Sequence, residues 1–287
     1  MPELPEVENI KLGLENKIKN RKIINIEYSE KIITSHKEGK FAVVKDDLKY
    51  FKNNISGKKI LNLTRRGKYL YFTLDKGYLV CHFGMTGAFF VVNNVEEIEN
   101  KNYQKHKHVI FNLDNNKILV FSDIRRFGEM RYLETIENFK PFLNLAPEPF
   151  AKESENYFLN KLAEKKYAKE KIKPLLLDGN IFCGCGNIYA CEVLYKQKIN
   201  PEIVASDLTL EEKKKLFHSL VEILNFSISQ GGSTISDFVH SDGEEGNMQN
   251  FLQIYGKKVC PKGHNTENIT LKTRSTYYCP ICQKDKR

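Results

Sequence analysis

Between Lys22 and Asp123 the chain carries six short runs dominated by Ile, Val, Leu, Tyr and Phe: KIINIEY, KKILNLTRR, KYLYFTL, GYLVCHF, HVIFNL and KILVFSD. Runs of this length, broken by turn residues, mark β-strands, and several in succession imply an antiparallel sandwich or barrel. Asp114, Asn115 and Asn116 lie between the last two runs and read as a hairpin tip. Ahead of them, Leu4, Val7, Ile10, Leu14 and Ile18 recur every three or four positions, which places them on one face of a helix. Pro2 and Pro5 suit its first turn. After about Tyr132 the pattern changes. PFLNLAPEPF, with three prolines in ten residues, reads as a linker, and helical segments follow: SENYFLNKLAEKKYA, the stretch around IKPLLLDG, NIYACEVLYKQ and LEEKKKLFHSLVEILNFSIS. Thr209 with Glu212 offers the last of these a capping box. GGSTISDFVHSDGEEGN reads as a loop. The expected fold is an α+β multidomain chain: an N-terminal helix with an antiparallel β-sandwich over 2–135, a linker over 136–150, a helical domain over 151–248, and a cysteine-bearing module over 249–287.

Hydrophobic residues make up 41% of the 287, enough for packed cores. Lys and Arg number 45 against 36 Asp and Glu, a net +9 that leans weakly toward a polyanionic partner. Its placement says more: residues 256–287 hold eight basic and two acidic residues, a basic module suited to phosphates. No basic, apolar leader opens the chain, and no run approaches the roughly 18 apolar residues of a membrane helix. Seven cysteines without a secretion signal point to a reducing cytoplasm. Four of them, Cys81, Cys183, Cys185 and Cys191, lack metal-type spacing and read as small buried residues. The others differ: Cys260 and His264 form C-x3-H, and Cys279 and Cys282 form C-x2-C, with 14 residues between the pairs. Tetrahedral zinc needs four such ligands held in pairs by tight turns, and a site with no open position is structural.

The N-terminus offers unusual chemistry. Once Met1 is removed, the nitrogen of Pro2 is a free secondary amine. An α-amino group titrates near about 8, roughly two units below lysine, so a useful fraction is unprotonated at neutral pH. Attack on a sugar C1′ gives an iminium with no N–H to lose. That cation acidifies the adjacent sugar carbon and permits elimination of a neighbouring phosphate. Glu3 would serve beside it as an acid/base if burial raises its pKa. Pro and Glu also begin many ordinary helices, and these two residues alone favour that plainer explanation.

PELPEVENI at residues 2–10, the GCGNIYACE segment and the zinc-type tail, in this order, resemble the formamidopyrimidine-DNA glycosylase family over essentially the whole chain. The resemblance implies a bifunctional repair enzyme on damaged double-stranded DNA, excising oxidised purines and nicking the strand by β,δ-elimination. It implies a monomer in the bacterial cytoplasm, bound to the nucleoid. Pro2 would be the Schiff-base nucleophile and Glu3 the acid/base, with Glu6 supporting them. Lys68 in RRGKYLYF would contact phosphate and assist β-elimination, and Arg274 in KTRSTYYC would assist δ-elimination. His82 in HFGMTG, His106 in KHKHV, Lys173 in IKP, Asn187 in the turn of a helix–two-turn–helix motif, and Tyr255 in IYG would lie near phosphates. Met85, Arg125 and Phe127, from HFGMTG and SDIRRFG, would fill the hole left by an extruded base, since a base inside a duplex is unreachable.

Three positions depart from the family pattern. Ile124 stands where Pro is common, and Ser236 where a basic residue often lies near the damaged base. Gly263 replaces the second finger cysteine, with His264 one position beyond as the expected fourth zinc ligand beside Cys260, Cys279 and Cys282. Two rivals stay open: an endonuclease VIII-like enzyme for oxidised pyrimidines, which Leu4 disfavours, and a non-catalytic zinc-containing DNA-binding protein.

Overall fold

The structure, a computed structural model, describes residues 2–233 and 246–284. Two compact units make it up: residues 1–142 with 230–247, and residues 143–229 with 248–287. The described residues 230–233 and 246–247 therefore group with the first unit, although the flanking residues 229 and 248 belong to the second. Ser236, one of the three departures from the family pattern, and Met1 lie outside the described residues.

In the first unit a helix spans Leu4–Ile18, and Leu4, Val7, Ile10, Leu14 and Ile18 are all fully buried. Each such side chain contributes about 1.5–3 kcal/mol, against about 1 kcal/mol for a helix cap. Packing holds this helix, and capping sets where it starts. Nine strands follow: β1 (Ile23–Tyr28), β2 (Val43–Val44), β3 (Ile60–Arg66), β4 (Tyr69–Leu74), β5 (Tyr78–His82), β6 (Gly87–Val92), β7 (Lys107–Leu113), β8 (Ile118–Asp123) and β9 (Glu129–Leu133). One sheet runs β1-β7-β8-β6 and the other β2-β9-β5-β4-β3. Their inner faces share one core with the N-terminal helix, Phe72 of one sheet lying 5.7 Å from Phe89 of the other. The expected sandwich is present, and Asn116 at the β7–β8 tip takes φ 61°.

Some elements escape the sequence pattern. The two-residue β2 pairs parallel to β9. Helices also stand at Glu30–Lys37, Leu48–Ile55 and Lys101–Lys105. The first buries only Ile32 and the second only Phe51 and Ile55, too few apolar positions for a period to emerge. In β9 buried Met130 and Tyr132 alternate with Glu129, Arg131 and Leu133, so its charges hide the strand. β6 is apolar on both faces because Tyr103 covers its outer side, ring to ring with Phe90 at 5.4 Å.

The second unit is helical. The segment expected as one helix from Ser154 is two, Ser154–Ala163 and Lys165–Ala168, broken at the extended Glu164. Shorter helices span Ile172–Leu176 and Asn187–Lys196, and a long one spans Leu210–Ser229. The capping box forms: the Thr209 N–H donates to Glu212 (2.9 Å) and the Glu212 N–H to the Thr209 hydroxyl (3.2 Å). A hairpin of β10 (Glu267–Leu271) and β11 (Arg274–Tyr278) carries the tail. Cys81, Cys183, Cys185 and Cys191 are buried. No helix among the described residues is long and apolar enough to cross a membrane.

His108 is buried between the end of β8 and the loop before the Glu30–Lys37 helix. Its Nε2 lies 3.0 Å from the Asp123 carbonyl and its Nδ1 3.0 Å from the Ser29 hydroxyl. A carbonyl only accepts, so Nε2 carries the proton and Nδ1 accepts from Ser29. Burial pushes the pKa down to about 4, outweighing the carbonyl bond and the Asp123 charge that raise it. Between about 6.5, the ordinary histidine value, and about 4, the unfolded chain binds the extra proton and the folded one does not. Stability must therefore fall as pH drops through that window. Denaturant titrations from neutral pH down to about 4.5 should show this slope, and His108→Gln, which keeps a donor and an acceptor, should flatten it. An unchanged slope in the variant would rule His108 out as its source.

Candidate active site

The first helix begins with Glu3 as its N-cap, in a reciprocal capping box with Glu6. The Glu3 N–H donates to Glu6 Oε2 at 2.8 Å, and the Ser233 N–H donates to Glu6 Oε1 at 2.8 Å. Pro2, Glu3 and Glu6 are all buried. Glu6 thus ties the chain start to residues 232–233 and fixes where the Pro2 nitrogen sits. One turn on, Glu8 pairs with Arg65 of β3 at 2.6 Å and with Lys11 at 2.8 Å. These bonds hold the carboxyl below its usual range, although burial, the largest single influence, acts the other way. The pair anchors the first turn against the β3 end that leads, through Gly67, to Lys68.

Lys68 is at the tip of the β3–β4 hairpin, half-buried. Its charge reaches His82 on β5. Burial first, and then the Lys68 ammonium, lower the His82 pKa, with Glu129 opposing them. His82 Nδ1 accepts the Gly84 N–H at 3.2 Å, so the neutral ring presents Nε2–H. The Tyr69 ring packs 4.9 Å from the imidazole. His106 caps the short helix at Lys101–Lys105, with Nδ1 2.8 Å from the Asn102 carbonyl.

Met85, Arg125 and Phe127 come together. The Arg125 guanidinium approaches Met85 Sδ at 3.0 Å and lies over the Phe127 ring, 4.7 Å from its centroid. Phe127 is 55% exposed, so a large aromatic ring projects where a core residue would be enclosed. The Met85 loop and the Phe127 loop touch through Gly84, whose φ is +56°. A Cβ there would fall 2.4 Å from the Phe127 carbonyl carbon. Two organising residues were not singled out by sequence reasoning. Buried Asp123 takes the Gly128 N–H at 2.7 Å, the Arg125 N–H at 3.2 Å and the Thr86 hydroxyl at 2.5 Å. An acid closing the apolar run KILVFSD was the available signal.

In the second unit, Asn187 opens the helix Asn187–Lys196 behind the Gly184–Gly186 turn and donates from Nδ2 to the Ser275 carbonyl at 2.8 Å. Lys173, expected as a phosphate contact, is fully buried. A buried ammonium needs acceptors, and it finds Asn187 Oδ1 (2.5 Å), Thr276 Oγ1 (2.8 Å) and the Ser275 carbonyl (3.3 Å). It binds the turn to the hairpin. At the tip of that hairpin Lys272 and Thr273 both take positive φ, the requirement of a tight two-residue turn, and Arg274 beside them is exposed. Tyr255 is placed by another residue that sequence reasoning passed over. Buried Glu192 accepts the N–H groups of Gln253, Ile254 and Tyr255 at 2.8, 3.0 and 2.8 Å. An acid inside the apolar stretch YACEVLY was its signal. Burial raises its pKa against these three bonds.

Cys260, His264, Cys279 and Cys282 bring one ligand atom each to within 4.8 Å of one another. His264 Nδ1 lies 3.3 Å from Cys282 Sγ and 3.8 Å from Cys279 Sγ. Zinc–sulfur bonds of about 2.3 Å in a tetrahedron set ligand atoms about 3.8 Å apart, so the four residues fit a metal ion. Gly263, at φ +80° and with open space around its Cα, lets the turn close with the Cys260 N–H on the His264 carbonyl at 2.9 Å.

Residues 1–130 match the formamidopyrimidine-DNA glycosylase N-terminal domain and residues 145–239 the formamidopyrimidine-DNA glycosylase H2TH domain. The formamidopyrimidine-DNA glycosylase of Pelotomaculum thermopropionicum is 39% identical over 100% of both chains, and that of Bacillus cereus 38% over 99% of both. Among solved structures, the Lactococcus lactis Fpg in complex with abasic-site DNA covers 99% of this chain and 100% of its own, at 33% identity and TM-score 0.83. The same protein complexed with DNA containing an oxidised pyrimidine matches equally, at 33% identity, TM-score 0.83 and the same coverage. The chain belongs to the formamidopyrimidine-DNA glycosylase family.

Proposed function

We propose that this chain is a base-excision DNA glycosylase with AP lyase activity, removing oxidised purines such as 8-oxoguanine and formamidopyrimidines from duplex DNA. The observation that carries the reading is the start of the chain, where Pro2 and Glu3 are enclosed and held by Glu6. With Met1 removed, the Pro2 nitrogen attacks the sugar C1′. The C1′–base bond breaks, and the base leaves with a proton; the C1′–O4′ bond then opens as O4′ takes a proton, leaving a C1′=N+ iminium. The resulting iminium draws electrons, so a proton is lost from the neighbouring sugar carbon and the 3′ phosphate departs. A second elimination releases the 5′ phosphate. Glu3 moves protons at the sugar, Lys68 and Arg274 stabilise the departing phosphates, and the His82 Nε2–H donates to a backbone phosphate.

Met85, Arg125 and Phe127 occupy the space of the extruded base, Arg125 bonding to its orphaned partner. Asn187 and its helix N-terminus hold a phosphate, with Lys173 supplying charge from behind, and His106 and Tyr255 add contacts. A structural zinc on Cys260, His264, Cys279 and Cys282 keeps the finger that carries Arg274 in shape, and does not take part in the chemistry. The enzyme works as a monomer in the cytoplasm. An oxidised-pyrimidine preference is the second reading, favoured by the Lactococcus complex with such DNA. The chemistry is the same, and excision assays on the two lesion classes separate them.

Borohydride should trap a covalent adduct between the processed protein and lesion-containing or abasic DNA, while Pro2→Gly or retained Met1 should weaken or abolish it. A correctly processed wild type that never yields the adduct would overturn the enzyme reading. Elemental analysis should find one zinc per chain, and His264→Ala should lose most of it and weaken duplex binding about ten-fold, about 1.4 kcal/mol. Full zinc retention in that variant would remove His264 from the ligand set. Affinity should also fall steeply with salt, and salt-insensitive binding would exclude the phosphate contacts assigned to Lys68, Asn187 and Arg274.

A further inference from the structure

We propose that Asp123 and Thr86 are positioning residues that hold the base-extruding loop in its inserting shape, a role that rests on the wedge reading above. The loop from Arg125 to Gly128 would otherwise be soft. Ile124 stands where a proline ring would stiffen the chain, and Arg126, not a glycine, adopts φ +58°. A side-chain-bearing residue in that region is held only where its surroundings over-determine it. The surroundings here are one carboxylate. Oδ1 of Asp123 accepts from the Arg125 N–H at 3.2 Å and from the Thr86 hydroxyl at 2.5 Å, and Oδ2 accepts from the Gly128 N–H at 2.7 Å. The two oxygens therefore grip the turn on both sides of Arg126 and Phe127.

Thr86 completes the grip from the other loop. Its hydroxyl donates to Asp123 and accepts the Arg125 N–H at 2.9 Å, one residue beyond Met85. Both loops that supply the wedge are thus fastened to the same fully buried carboxylate, and neither Asp123 nor Thr86 is itself exposed. Asparagine at 123 keeps one acceptor oxygen and replaces the other with a donor, so either the Gly128 side or the Thr86 and Arg125 side must be lost. Valine at 86 removes both hydroxyl bonds at nearly constant shape, and serine keeps them.

The test reads insertion separately from chemistry. A duplex carries a tetrahydrofuran abasic analogue beside 2-aminopurine, whose fluorescence rises when the stack is opened. Wild type should give a fast rise; Asp123→Asn and Thr86→Val should slow it about ten-fold, equivalent to about 1.4 kcal/mol in the barrier, and Thr86→Ser should retain it. Borohydride trapping on a single-stranded abasic oligonucleotide, where no stack is opened, should stay within about two-fold in all three variants. The proposal is overturned if the fluorescence rise is unchanged in both Asp123→Asn and Thr86→Val. It is equally overturned if single-strand trapping falls by the same factor, or if wild type gives no rise. Should Asp123→Asn fail to fold, the Thr86→Val and Thr86→Ser pair decides. A wild type that opens the stack but never traps would refute the lyase function and leave the lock standing.

Discussion

The Glu6 carboxylate is the bond on which the candidate chemistry depends. A residue at the start of a chain has no preceding backbone to hold it, and chain ends are ordinarily the least ordered part of a domain. Here one buried side chain receives an N–H from Glu3 and another from Ser233, 227 residues away in sequence. The apolar stripe beneath the helix holds it against the sandwich, and Glu6 converts that hold into a defined position for residues 2 and 3. Such a carboxylate is costly to enclose unless its oxygens are bonded, and the bonds it uses are the ones that fix the terminus.

The same economy recurs at Asp123, Lys173 and Glu192. Each is enclosed, and each bonds at least one group from a segment distant in sequence. A buried charge contributes less to stability than to uniqueness, because removing one partner leaves the other uncompensated. Asp123 sets the wedge loops, Lys173 joins the Asn187 turn to the hairpin bearing Arg274, and Glu192 shapes the loop at Tyr255. The residues proposed to meet DNA are held by residues that are themselves buried.

That division explains what the sequence could show. The Cys/His cluster was legible from its own spacing, whereas the PELPEVE start and the arginine and phenylalanine of SDIRRFG were marked out by their resemblance to the family. The N-terminal helix and six strands were legible because their apolar positions repeat. The helices at Glu30–Lys37 and Leu48–Ile55 were not, since one or two buried residues make no period. The resemblance gave Lys173 as a phosphate contact, and nothing near it in sequence announces Thr276 or Ser275, about a hundred residues away. Asp123 and Glu192 carried a signal, an acid set in an apolar run, but their partners, like those of Thr86, were not visible in the sequence.

Gly84 carries a consequence for how such a chain can change over generations. Its Cα lies against the backbone of Phe127 and Gly128, with no room for a methyl group. The turn carrying Met85 and the turn carrying Arg125 and Phe127 are therefore not free to vary separately. A lengthened or bulkier turn on either side would displace the other, so substitutions here are expected to be inherited as matched pairs. The reach of the wedge, and with it the depth of stack it can occupy, is a property of the two turns jointly.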